Sequence, residues 1–65
     1  MKVRISGSGA AQVPEQTIDW PFPVPPATKM RIQWRDDDGN VWRGSVDVVT
    51  YDAAEGLVYV SVSIA

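Results

Sequence analysis

The amino-acid sequence predicts a single small all-β domain spanning residues 1–65, with four to five strands in an antiparallel sheet or barrel. Three observations lead there. From Thr28 to Ile64 apolar residues recur at every second position, in three runs separated by glycine-containing turns, and that period belongs to strands half-covered by a core. A shorter alternating run, Lys2-Val3-Arg4-Ile5, precedes them. All five prolines fall before Thr28, where they break any helix of useful length.

The first element is the strand Lys2–Ile5, with Val3 and Ile5 on one face. Ser6 to Ala27 follows, a span of 22 residues that holds every proline and two of the five glycines. A structureless loop of that length is uncommon in a compact domain, so this long proline-rich loop is either functional or partly ordered. Val13-Pro14-Glu15-Gln16 suits a type I turn between two short irregular strands. Asp19 to Pro26 favours polyproline II, because four prolines restrict φ.

The next two runs pair as a hairpin. Met30, Ile32 and Trp34 alternate with Lys29, Arg31, Gln33 and Arg35; Trp42, Gly44, Val46 and Val48 alternate with Arg43, Ser45 and Asp47. Asp36-Asp37-Asp38-Gly39-Asn40 between them fits a three-residue loop with Gly39 left-handed. Closing it there sets Asp36 against Asn40, Trp34 against Trp42, Ile32 against Gly44, Met30 against Val46 and Lys29 against Asp47. A slip of one residue would put both tryptophans into water.

The last run turns Val58, Val60, Val62 and Ile64 inward and Leu57, Tyr59, Ser61 and Ser63 outward. Asp52 to Gly56 suits a four- or five-residue turn with Gly56 at positive φ. The adjacent Val48 and Val49 break the alternation, and a bulge there would swing Val49 and Tyr51 into the core. Leu57 to Ile64 is long and uncharged, so unless Lys2–Ile5 pairs with it, its outer edge is open to a second copy. Homodimerisation by strand addition is the corresponding expectation.

Strand, long excursion and three-strand meander resemble the layout of Src-homology-3-like barrels. A second resemblance is local. Lys29-Met30, Asp36-Asp37-x-Gly39 and Arg43-Gly44-x-Val46 are similar in spacing to the central hairpin of small archaeal chromatin proteins, which bind the DNA minor groove through an exposed sheet. That resemblance implies Met30 and Arg43 on a DNA-binding face. It covers under a third of the chain. The first strand has the opposite phase, and this chain is acidic and ends in a strand where that family has a helix. The match therefore reads as convergence on hairpin chemistry.

Composition narrows the function. At this length a chain buries only about 60% of its unfolded surface, and a core of this size rarely supplies more than about 3–5 kcal/mol. There is no cysteine and no histidine, which removes disulfides, thiolate and imidazole catalysis, and nearly every structural zinc site. The expectation is a non-enzyme without cofactor or metal. The Asp36–Asn40 segment lacks the glycine and glutamate placement of an EF-hand loop. With no signal peptide or membrane-spanning run, the expected location is cytoplasmic. Residues 1–35 hold five cations against two anions, and residues 36–65 one against six; antiparallel pairing should interleave the halves and cancel much of that contrast.

Two surfaces are candidates. One is the aromatic and proline-rich group of Trp20, Phe22, Trp34, Trp42 and Tyr59, in which Trp34 and Trp42 read as core, Trp20 is expected to be largely buried and Phe22 to be intermediate. The other is the polar sheet face with Arg31, Arg35, Arg43, Ser45, Tyr59 and Ser61, where arginine and tyrosine are residue types favoured at interfaces. The leading expectation is a protein-interaction module or small regulatory subunit with a protein partner. The alternative is a nucleic-acid-binding barrel that uses the arginine-bearing face.

Overall fold

A computed structural model describes residues 1–8 and 13–64. Five strands form one curled sheet, a half-barrel: β1 (Lys2–Gly7), β2 (Gln16–Asp19), β3 (Arg31–Arg35), β4 (Val41–Asp52) and β5 (Leu57–Ile64), in the order β2-β1-β5-β4-β3. The described residues contain no helix, and none therefore long and apolar enough to cross a membrane. The sheet is mixed rather than wholly antiparallel. β1 runs parallel to β5, Val3 beside Val58 and Ile5 beside Val60, while the other three pairs are antiparallel.

The β3–β4 hairpin follows the expected register, with Trp34 opposite Trp42 and Ile32 opposite Gly44. Its turn closes through Asp36 N–H to the Asn40 carbonyl (3.0 Å) and Gly39 N–H to the Asp36 carbonyl (3.1 Å), with Gly39 at φ 87°. The Asp36 carboxylate braces the loop. It accepts from the backbone N–H groups of Asp38 (3.0 Å) and Asn40 (2.8 Å) and from the Trp42 indole (2.9 Å). β3 starts at Arg31 rather than Thr28. Lys29 takes a left-handed φ of 68° while donating its N–H to the Val46 carbonyl, so the chain turns there and the expected Lys29–Asp47 pair is absent.

The indole hydrogen bond, and after it the bonds from Asn40 and Asp38, hold the Asp36 carboxyl below its ordinary value of 3.8. A depressed folded-state value means stabilisation that is present above the unfolded value and lost as pH falls through the folded one. Acid titration is therefore expected to move the Trp42 indole proton resonance and the thermal midpoint together below about pH 3.8. In Asp36→Asn the indole shift should stay flat over that range, which NMR would register directly. An indole shift that titrates in the variant as in the parent contradicts the assignment.

The bulge exists and sits at Asp47, where the register shifts between Val46 and Val48. Val48 turns out to solvent and Val49 packs against the core; Tyr51, also moved to the inner side, stays exposed and reaches the Pro26 carbonyl (3.4 Å). The bulge aims the Asp47 carboxylate at the Ser8 hydroxyl (2.6 Å). The β4–β5 turn has four residues, with Gly56 at φ 66° and the Asp52 carboxylate accepting from the N–H groups of Ala54 and Glu55.

Two expectations about the early chain change. Gln16–Asp19 is a strand paired with β1, Ile18 beside Val3, so the excursion is interrupted and Val13–Gln16 is not a turn. The part of the excursion at residues 9–12 lies outside the described residues. Secondly, β5 is flanked by β1 on one side and β4 on the other, which closes the route to a homodimer through the C-terminal strand. Its apolar face is the centre of the core: Val3, Ile5, Val60 and Val62 are fully buried, ringed by Val46, Val58, Trp20 and Trp34. The unpaired edges of the sheet belong to β2 and β3.

Candidate functional site

Curling brings the two free edges toward one another. At one end the seam is latched by Gln16, whose side-chain N–H donates to the Arg35 carbonyl across it (3.2 Å). Beyond the latch the seam widens into an apolar groove of about 650 Å³. Ile5 and Ile18 line one wall, Ile32 and Trp34 the other, and Trp20 to Val24 with Met30 the far end. The alternation that makes β2 and β3 amphipathic strands thus supplies the lining, since Ile18, Ile32 and Trp34 are their inward residues.

Trp20 is buried (8% exposed) and its indole donates to the Val24 carbonyl (2.8 Å). This bond folds the segment after β2 back on itself. Phe22 stands edge-on to Trp20, ring centroids 5.4 Å apart at 75°, yet it is 62% exposed, and Val24 beside it is 59% exposed. The two aromatic candidates therefore divide the work: Trp20 is part of the core wall and Phe22 is an exposed apolar lip. Buried polar atoms should be paired, and two here are not. Among the described residues, the Trp34 indole N–H and the Gln16 side-chain carbonyl have no partner. Both belong to residues of the seam.

The polar face is brought together only in part. On the outer side of β3 and β4, Arg43 lies opposite Gln33, with Arg31 and Arg35 on the diagonals, about 7–8 Å away in such a lattice. These three arginines make no ion pair among the described residues, where the ion pairs are Lys2–Asp19 and Arg4–Glu15. The hairpin register thus gathers cations from both halves of the chain into one patch. Tyr59 lies elsewhere, on β5 beside Arg4 of β1, and its hydroxyl donates to Glu55 (3.1 Å). That bond, then desolvation and the nearby charges of Glu55 and Asp52, raises its ionisation above 10.0. Met30 and Arg43 do not share a face. Met30 lines the groove, whereas Arg43 is exposed on the outside.

The seam was not anticipated from the sequence, and neither were Gln16, Ile18, Ile32 and Gln33 as its parts. A signal existed in Gln16-Thr17-Ile18-Asp19-Trp20, which alternates like a strand but sits among prolines. No protein-family model, curated protein or solved structure matches the chain. The functional reading rests on the geometry of the seam.

Proposed function

We propose that the domain is a non-catalytic protein-interaction module that takes an extended segment of a partner protein into the groove between β2 and β3. The observation that carries this is an apolar groove bordered by two unpaired strand edges. Strand addition needs both: backbone groups to hydrogen-bond and pockets for alternate side chains. The exposed Phe22 and Val24 add apolar contact area where a ligand enters, and aromatic anchors dominate binding energy at such surfaces. A non-catalytic role is supported by the lack of histidine and cysteine and by the local, structural cause of each shifted ionisation. The lack of cysteine also supports a cytoplasmic setting. The excursion after β1 and the β3–β4–β5 meander support a Src-homology-3-like reading of the half-barrel; the parallel β1–β5 pair departs from the all-antiparallel plan.

Peptides selected from a random displayed library on the immobilised domain test the proposal. They should bind a Phe22→Ala/Val24→Ser variant at least about tenfold more weakly, as expected for losing a central aromatic contact. Loss of the edge-on aromatic contact should itself lower stability by only about 0.5–1.5 kcal/mol. Selected peptides that bind parent and variant equally well would place recognition outside the groove. A second reading, nucleic-acid binding through Arg31, Arg35 and Arg43, draws on the unpaired cationic patch. It predicts affinity that falls steeply with salt on any single strand.

A further inference from the structure

We infer that the groove's occupant is an acidic, extended segment that adds as a strand to the free edge of β3, with apolar side chains facing in and carboxylates facing out. The inference rests on the reading of the groove as a protein-binding site and specifies both the edge used and the chemistry of the partner.

The edge follows from the ladder. Bonded and non-bonded pairs alternate between antiparallel strands. The Asp36–Asn40 bond and the Val46 N–H bond to the Met30 carbonyl fix which pairs are bonded. Ile32 and Trp34 therefore direct their backbone groups to β4, while Arg31, Gln33 and Arg35 direct theirs to the free edge. The Gln16 bond to the Arg35 carbonyl is one outward group already in use. The groups of Arg31 and Gln33 remain for an incoming strand.

The pattern follows from the pleat. Side chains of an added strand alternate faces in step with β3. Those level with Ile32 and Trp34 enter the groove, whose lining is mainly apolar, so apolar side chains suit them. Those level with Arg31, Gln33 and Arg35 lie on the outer face beside the three unpaired arginines. Opposite charges across neighbouring strands attract and like charges repel, so carboxylates suit those positions. A second copy of the chain pairing through its own β3 would set arginine against arginine. The edge of β2 is the poorer acceptor of such a segment, because the cations beside it, Lys2 and Arg4, are already engaged by Asp19 and Glu15.

Three synthetic heptapeptides, Glu-Val-Glu-Phe-Glu-Val-Glu and its all-glutamine and all-arginine counterparts at the glutamate positions, test this by NMR titration of the labelled domain. The acidic peptide should bind roughly tenfold or more tightly than the arginine peptide at low salt, from two or three exposed pairs, with the gap narrowing as salt rises. The Gln33 amide should shift downfield as it gains a partner, and methylating the peptide's backbone nitrogens on alternate residues should abolish binding in one phase and spare it in the other. An Arg31→Glu/Arg35→Glu variant, altered only at exposed positions, should prefer the arginine peptide. Equal binding of all three peptides in the groove overturns the acidic partner while leaving the groove a peptide site. Indifference to N-methylation in both phases overturns strand addition. No shift of groove residues by any of the three overturns this inference and the proposed function together.

Discussion

Trp20→Ala is expected to cost about 3–5 kcal/mol, the usual range for deleting a buried large aromatic. The core of a domain this small rarely supplies more than about 3–5 kcal/mol, so the variant should be largely unfolded at room temperature. Trp20 walls the core, supports Phe22 and holds Val24 through its indole. Urea denaturation beside the parent reads the effect. Trp20→Phe keeps most of the volume and loses the indole hydrogen bond, which should lower stability by about 0.5–1.5 kcal/mol and leave a measurable transition. An alanine variant as stable as the parent would show that Trp20 is not part of the core wall.

Gly44→Ala should be more damaging than alanine at Gly39 or Gly56, although it has no left-handed φ. A methyl group on this residue would run into the Ser63 carbonyl oxygen and come within 3.1 Å of its carbon. Those atoms are backbone in β5, where the ladder with β4 holds them, and they cannot yield cheaply. Overpacking of that kind costs typically about 1–3 kcal/mol, more when backbone must move, and we expect the upper end. Gly39 and Gly56 make the contrast, because a methyl group there meets nothing within 4 Å. Their cost is conformational only, about 1–2 kcal/mol for an L-residue held left-handed. Thermal denaturation of the three alanine variants should rank Gly44 lowest; Gly44→Ala with a midpoint equal to the parent's would mean that β4 and β5 are not pressed together at this point.

The parts of the fold legible in the sequence are those fixed by local chemistry. One turn, Asp36 to Asn40, set the entire β3–β4 register, because glycine at the left-handed position and period-two alternation leave one consistent pairing. Val48-Val49 signalled a bulge for the same reason: a broken alternation must be repaired somewhere. What escaped was non-local. Nothing in Lys2–Ile5 says whether it will run parallel or antiparallel to β5, since a strand buried on one face shows the same alternation either way. The candidate residues split along that line. Trp20 was readable as core because so small a chain has few large side chains to bury. The union of Arg31, Arg35 and Arg43 needed the hairpin register. The separation of Tyr59 from them, and the seam between β2 and β3, needed the strand order.

The β1–β5 pairing also sets the tempo of folding. β3, β4 and β5 are joined by short turns and can assemble quickly, whereas Val3 meets Val58 across 55 positions of chain, the kind of distant contact that slows folding. Until β1 returns, β5 presents a bare edge of eight uncharged residues, the sort of edge that recruits other chains. The hazard that the finished sheet removes is thus concentrated in the interval before its last strand docks. Dilution during refolding should favour recovery of the folded domain more than any change at the exposed edges of the native sheet.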